Sequence, residues 1–127
     1  MSNSRLDWYR VSGDCMWPAL RSGDEVGLAR PRTGPRPGDV VVARVPGSFV
    51  VHRVVSIASG SVVLRGDNCD RDDPRLPVER LLGVARRVRR SGKILASSEW
   101  DSGPTLAGRL RMRLRRRLAG LLHGRFR

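Results

Sequence analysis

From Trp8 to Val88 the chain is a succession of short β-branched or alternating segments cut by Gly, Pro and Asp turns, and no segment there carries sustained helical periodicity. The strands this predicts are Asp7–Val11, Glu25–Ala29, Val40–Val45, Ser48–Ile57, Ser61–Arg65 and Leu82–Val88. Turn chemistry separates them at Ser22-Gly23-Asp24, Pro37-Gly38-Asp39, Pro46-Gly47 and Ser59-Gly60. A mainly β fold of short strands and hairpins follows, and 127 residues suffice for one such core. The exception lies between the first two strands. Cys15 to Arg21 is long enough only for a single helical turn beginning near Pro18.

Beyond Arg90 the pattern changes. Ser91-Gly92 and Ser97-Ser98 through Gly103-Pro104 read as a linker, so the organisation expected is a β domain over 5–90, a linker over 91–105 and a tail over 106–127. In the tail Leu106, Leu110, Leu114, Leu118 and Leu121 recur at helical spacing. Eight arginines and no acidic residue lie between Gly108 and Arg127, which predicts a basic amphipathic helix. Charge matters here. A formal net charge of +13 points to an acidic partner, and an apolar stripe flanked by arginines suits an anionic membrane surface. The other reading folds the leucines back onto the β domain. Nucleic acid is disfavoured, because no aromatic residues interleave with the arginines.

Two cysteines, at 15 and 69, match neither a zinc nor a redox spacing and are too few for a disulfide scaffold, so a reducing compartment is the simpler expectation. No run of 18 apolar residues and no signal-like N-terminus occurs, which makes the expected location cytoplasmic, peripheral at the inner face of the membrane. Of the 25 basic residues only Lys93 is a lysine, so a nucleophile–lysine dyad has a single candidate, set in a Ser-Gly stretch.

Chemistry concentrates at three points. Cys15 sits in Gly13-Asp14-Cys15-Met16-Trp17-Pro18, where Gly13 permits a tight backbone and Pro18 fixes the turn. A nucleophile there stands beside backbone N–H groups suited to an oxyanion, its own amide among them. The alternative is a small buried core thiol. His52 interrupts the apolar run Val50–Val55 on the face of Val50 and Val54, either as a hydrogen-bonded core histidine or as a general base. Asp67, Asp70, Asp72 and Asp73 crowd one loop; they form a solvated or arginine-pairing patch, or one of them orients His52. Neither the acids nor the cysteines have the spacing of a metal site, and no cofactor is implied.

The order Gly13 to Pro18, Gly23-Asp24, Gly38-Asp39-Val40-Val41, His52-Arg53-Val54 and Gly66-Asp67-Asn68 resembles the signal peptidase and LexA-type superfamily of proteases over residues 8 to 88. Histidine at the base position is similar to the endoplasmic-reticulum-type branch of signal peptidases. There an aspartate six residues after that of Gly-Asp-Asn completes the site, a spacing that leads here from Asp67 to Asp73. The resemblance implies a signal-peptidase-like β fold with Cys15 as nucleophile, His52 as base and Asp73 orienting the imidazole. Met16, Trp17 and Pro18 are the candidate substrate-binding residues, with Met16 and Trp17 also supplying apolar anchoring to the turn. Cysteine replaces the family's serine, and a hydroxyl that assists the oxyanion hole in some members is missing at Gly13. The function expected is endopeptidase cleavage of a peptide or leader segment. Its competitors are a silent peptide-binding module of the same fold, in which Cys15 is a relic, and a membrane- or nucleic-acid-associated regulator acting through the tail.

Overall fold

A computed structural model describes residues 6–29 and 34–103. The tail helix expected over 106–127 lies outside the described residues, as do residues 104 and 105 of the expected linker.

The predicted strands form, with small changes at their ends, and two short ones join them: β1 (Asp7–Arg10), β2 (Glu25–Ala29), β3 (Val40–Val45), β4 (Ser48–Ala58), β5 (Ser61–Arg65), β6 (Leu76–Pro77), β7 (Leu81–Arg90) and β8 (Lys93–Ile94). They build one antiparallel sheet in the order β1-β2-β7-β3-β4-β5-β6, with β8 added to β7. Turn chemistry sets the registers. Ser59 (φ 49°) and Gly60 (φ 78°) are the two loop residues between the pair Ala58 and Ser61, and positive φ at both positions is the turn whose twist suits a tight hairpin.

The same device recurs at Ser91 (φ 51°) and Gly92 (φ 79°), between the paired Arg90 and Lys93. This corrects the reading of residues 91–103 as a linker. The Ser-Gly pair that suggested flexibility makes a hairpin that returns the chain to the sheet, and Trp100 is buried in the core at 3% exposure. A linker and a hairpin share their small residues; only the pairing partner, Arg89-Arg90, distinguishes them.

β3 is buried on both faces. Val40 and Val42 pack into one cluster with Met16, Leu20, Val26, Val51 and Trp100, while Val41 and Ala43 pack into a second with Val54, Val62 and Leu64. The two-residue period sends alternate side chains to opposite faces, which is why this strand reads as a continuous apolar run. Each fully buried valine contributes on the order of 1.5–3 kcal/mol. β4 carries a bulge between Val54 and Ser56 that leaves Val55 out of the ladder and 42% exposed. Such bulges bend and twist a strand, here just beyond His52 and Arg53.

Candidate active site

The turn that carries Cys15 is anchored from beneath. Met16 and Leu20 are fully buried, Gly13 adopts φ 84°, and Leu20 N–H donates to the Met16 carbonyl at 2.9 Å. The Trp17–Pro18 peptide is cis, and residues 15–19 form consecutive turns in place of the helical turn predicted from Pro18. Composition does not distinguish the two, because proline suits both a helix start and a cis-peptide turn.

The loop following β5 is stitched to this turn. Asn68 N–H donates to the Cys15 carbonyl at 2.8 Å, the Asn68 side chain donates to the Asp14 carbonyl at 3.0 Å, and Asp67 N–H donates to the Met16 sulfur at 3.4 Å. Gly66 is required by proximity: a Cβ there would stand 2.6 Å from the Cys15 carbonyl oxygen, 2.6 Å from the Cys69 sulfur and 3.1 Å from His52 Nε2. Asp73 N–H donates to the Leu64 carbonyl at 2.7 Å, which brings the far end of the loop back to β5.

That return delivers the Asp73 carboxylate to His52 Nδ1, with which it makes a short hydrogen bond. His52 lies on β4 opposite Val41 and is 8% exposed. With Nδ1 as donor to the carboxylate, Nε2 is left as the acceptor, the form a general base needs. Nearby, a cleft of about 660 Å³ is lined by residues 12–15 and 68–74, so Cys15 and Asp73 both border it while His52 does not. Among the described residues, no cluster of three or more His, Cys, Asp or Glu side chains is arranged to hold a metal ion.

Over this scaffold the chain matches one protein family, described as Peptidase S24-like, across residues 2–87. The chain belongs to that family. The assignment agrees with the resemblance to the LexA and signal peptidase superfamily, and it covers the whole Cys15 turn, His52 and the loop to Asp73. No curated protein matches the chain.

Within this Peptidase S24-like domain the site residues differ in how far they are assembled. His52 and Asp73 are in contact. The Cys15 thiol instead donates to the carbonyl of Val51, the residue before His52, at 3.9 Å, and among the described contacts it does not bond the imidazole. Its pKa is pushed up to about 11, first by burial and then by the neighbouring Cys69, with Asp73 and Asp14 adding to the rise; the Cys15 backbone N–H works in the opposite direction. At rest Cys15 is therefore a neutral thiol. Its own amide stabilises negative charge at the sulfur.

Two placements correct the sequence reading. Met16 is fully buried with its sulfur under Asp67, so it supports the turn and does not offer a substrate surface. Pro18 is exposed and Trp17 half-buried, but neither lines the cleft. An apolar residue beside a nucleophile looks the same in sequence whether it faces substrate or core. Sequence reasoning also missed the role of Arg53. The residue is 6% exposed; its guanidinium pairs with both oxygens of Asp67 at 2.8 Å and donates to the carbonyls of Gly38, Trp100, Asp101 and Ser102. The signal was the pairing of His52-Arg53 with Gly66-Asp67, but the C-terminal partners carry no motif.

The neutral thiol has a measurable consequence. Alkylation of Cys15 by iodoacetamide should keep accelerating with pH past the reference value even without Cys69, because the thiolate is the reacting species and burial, the largest cause of the rise, remains. A plateau at or below the reference value of about 8.5 contradicts the buried neutral thiol. The measurement uses a Cys69→Ser background so that a single thiol reports.

Proposed function

We propose that the protein is an endopeptidase that cleaves an extended peptide or leader segment through Cys15, His52 and Asp73. The observation that carries this reading is the contact between His52 Nδ1 and Asp73, a residue that lines the same cleft as Cys15. A core histidine needs only a hydrogen-bond partner. This one has a carboxylate reached by a loop that also fastens the cysteine turn, and its second nitrogen faces the gap left by Gly66.

The chemistry follows from the neutral thiol. Cys15 turns from the Val51 carbonyl to His52 Nε2, and its proton passes to the imidazole as the sulfur attacks the scissile carbonyl. The Cys15 amide donates to the developing oxyanion. His52 returns the proton to the leaving amine, giving a thioester, and then activates a water that releases the acid and restores the thiol. Asp73 holds the imidazole in the required tautomer and stabilises its cation. Catalytic hydrogen bonds that are open in an unliganded site commonly close on substrate, so a resting thiol bonded to the Val51 carbonyl is compatible with this sequence of events.

Substrate backbone pairing with a sheet edge supplies orientation, as in other strand-addition complexes. We place the enzyme at an anionic membrane surface through residues 106–127, on the strength of their eight arginines and apolar spacing. No helix among the described residues is long and apolar enough to cross a membrane.

The test is digestion of a degenerate peptide mixture, read by mass spectrometry, with Cys15→Ala as the blank. Cleavage present in the parent chain and absent from the variant supports the endopeptidase. Saturable peptide binding that is equal in both, with no cleavage, assigns the fold to a binding module instead.

A further inference from the structure

Cys15 and Cys69 are the two cysteines of the chain, and the fold turns both into one cleft. The hydrogen bond from Asn68 N–H to the Cys15 carbonyl lays the two backbone segments side by side. The bond from Cys69 N–H to the Gly66 carbonyl, at 2.9 Å, then reverses the second segment. The Cys69 sulfur consequently packs over Gly66, where a single added carbon would touch both that sulfur and the Cys15 carbonyl oxygen at 2.6 Å. Both cysteines are half-buried and line the cleft.

We propose that Cys15 and Cys69 form an intrachain disulfide when the protein meets a small-molecule disulfide, and that this bond reversibly blocks the nucleophile. The bond itself is independent of the peptidase reading; only its effect on cleavage rests on that reading.

The exchange balances in two steps. The Cys69 thiolate attacks one sulfur of glutathione disulfide, forming a mixed disulfide and expelling one glutathione thiolate. Cys15, after losing its proton to solvent, attacks the Cys69 sulfur and expels the second. Two protein thiols and one glutathione disulfide thus become one protein disulfide and two glutathione molecules. Burial also raises the affinity of Cys15 for its proton, which makes its sulfur a poor leaving group when glutathione attacks Cys69 in the reverse direction. The bond, once formed, resists opening along that route.

The experiment equilibrates the full chain in buffers of decreasing reduced-to-oxidised glutathione ratio, blocks remaining thiols with N-ethylmaleimide, and maps tryptic peptides by mass. The expected result is loss of both thiols, a mass lower by two hydrogens, and a linkage between the peptides spanning 11–21 and 66–71. Cleavage falls by about tenfold or more and returns with dithiothreitol. Cys69→Ser and Cys69→Ala, each checked for folding by circular dichroism, carry at most one glutathione and form no intrachain link. Separate glutathione adducts on the two cysteines, or a link joining two chains, overturns the proposal. Because mapping needs no activity, the two readings fail separately: a 15–69 bond in a chain that never cleaves refutes the peptidase, whereas cleavage without the bond refutes the disulfide.

Discussion

Replacing Cys15 with Ala is expected to remove peptide cleavage to the level of buffer, a loss of about a thousandfold or more, whereas Cys15→Ser retains measurable turnover. The asymmetry follows from the resting state of the site. A thiolate–imidazolium pair activates cysteine before substrate arrives and has little to offer serine. Here the thiol is buried and neutral, with its pKa raised to about 11, and in the proposed mechanism His52, in contact with Asp73, is the base. That arrangement removes a proton during attack, which serves a hydroxyl as well as a thiol. His52→Ala should cost about as much as Cys15→Ala, since residues of one catalytic unit fail together. Asp73→Asn should cost less than His52→Ala, because the amide still meets Nδ1 but no longer stabilises the cation. Initial rates on the best peptide from the degenerate mixture supply the check. Full activity in Cys15→Ala removes the nucleophile assignment outright.

The largest effect on stability is expected at Arg53. In Arg53→Met the Asp67 carboxylate, whose side chain is 4% exposed, loses its partner. The carbonyls of Trp100, Asp101 and Ser102 lose their common donor as well. Breaking a buried pair from one side costs about 3–5 kcal/mol, a large share of what a domain of this size possesses. Urea unfolding should show a lower midpoint with little change in slope. Arg53→Met combined with Asp67→Leu should recover part of the loss, because no buried charge is then left alone, and the double-mutant cycle measures the coupling. A single variant as stable as the parent chain would show that solvent reaches Asp67. The pair also bears on the site, since Asp67 lies between Gly66 and Asn68, both of which touch the Cys15 turn.

Much of this architecture is legible in the residues. Alternation and turn chemistry located the six longer strands, and Ser59-Gly60 specified its hairpin in sequence before any pairing was known. His52 on the face of Val50 and Val54 follows from the strand period alone: both valines pack with the second core cluster. What escaped depends on contacts between distant segments. Ser91-Gly92 has the same chemistry as Ser59-Gly60, yet a two-residue partner strand is too short to show a period. Met16 reads as a substrate contact until Asp67 is found beside its sulfur. The resemblance already places the Cys69 loop near Cys15, but their actual approach depends on the loop fold at Gly66 and Asn68, for which linear spacing gives no distance. The resemblance supplied the role of Asp73, and the loop geometry gives that role a physical basis: the hydrogen bond from its amide to Leu64 returns the carboxylate to His52.

The most direct test of the central claim is covalent capture of the acyl intermediate. The parent chain, Cys15→Ala and His52→Ala, all in a Cys69→Ser background, are mixed with p-nitrophenyl acetate, quenched in acid and mapped by mass spectrometry. The account predicts an acetyl group on Cys15 of the parent chain, formed with a burst of p-nitrophenol, much slower without His52 and absent without Cys15. Acetylation of Cys15 at the same rate with and without His52 contradicts it, for the cysteine would then be an ordinary thiol in a binding cleft.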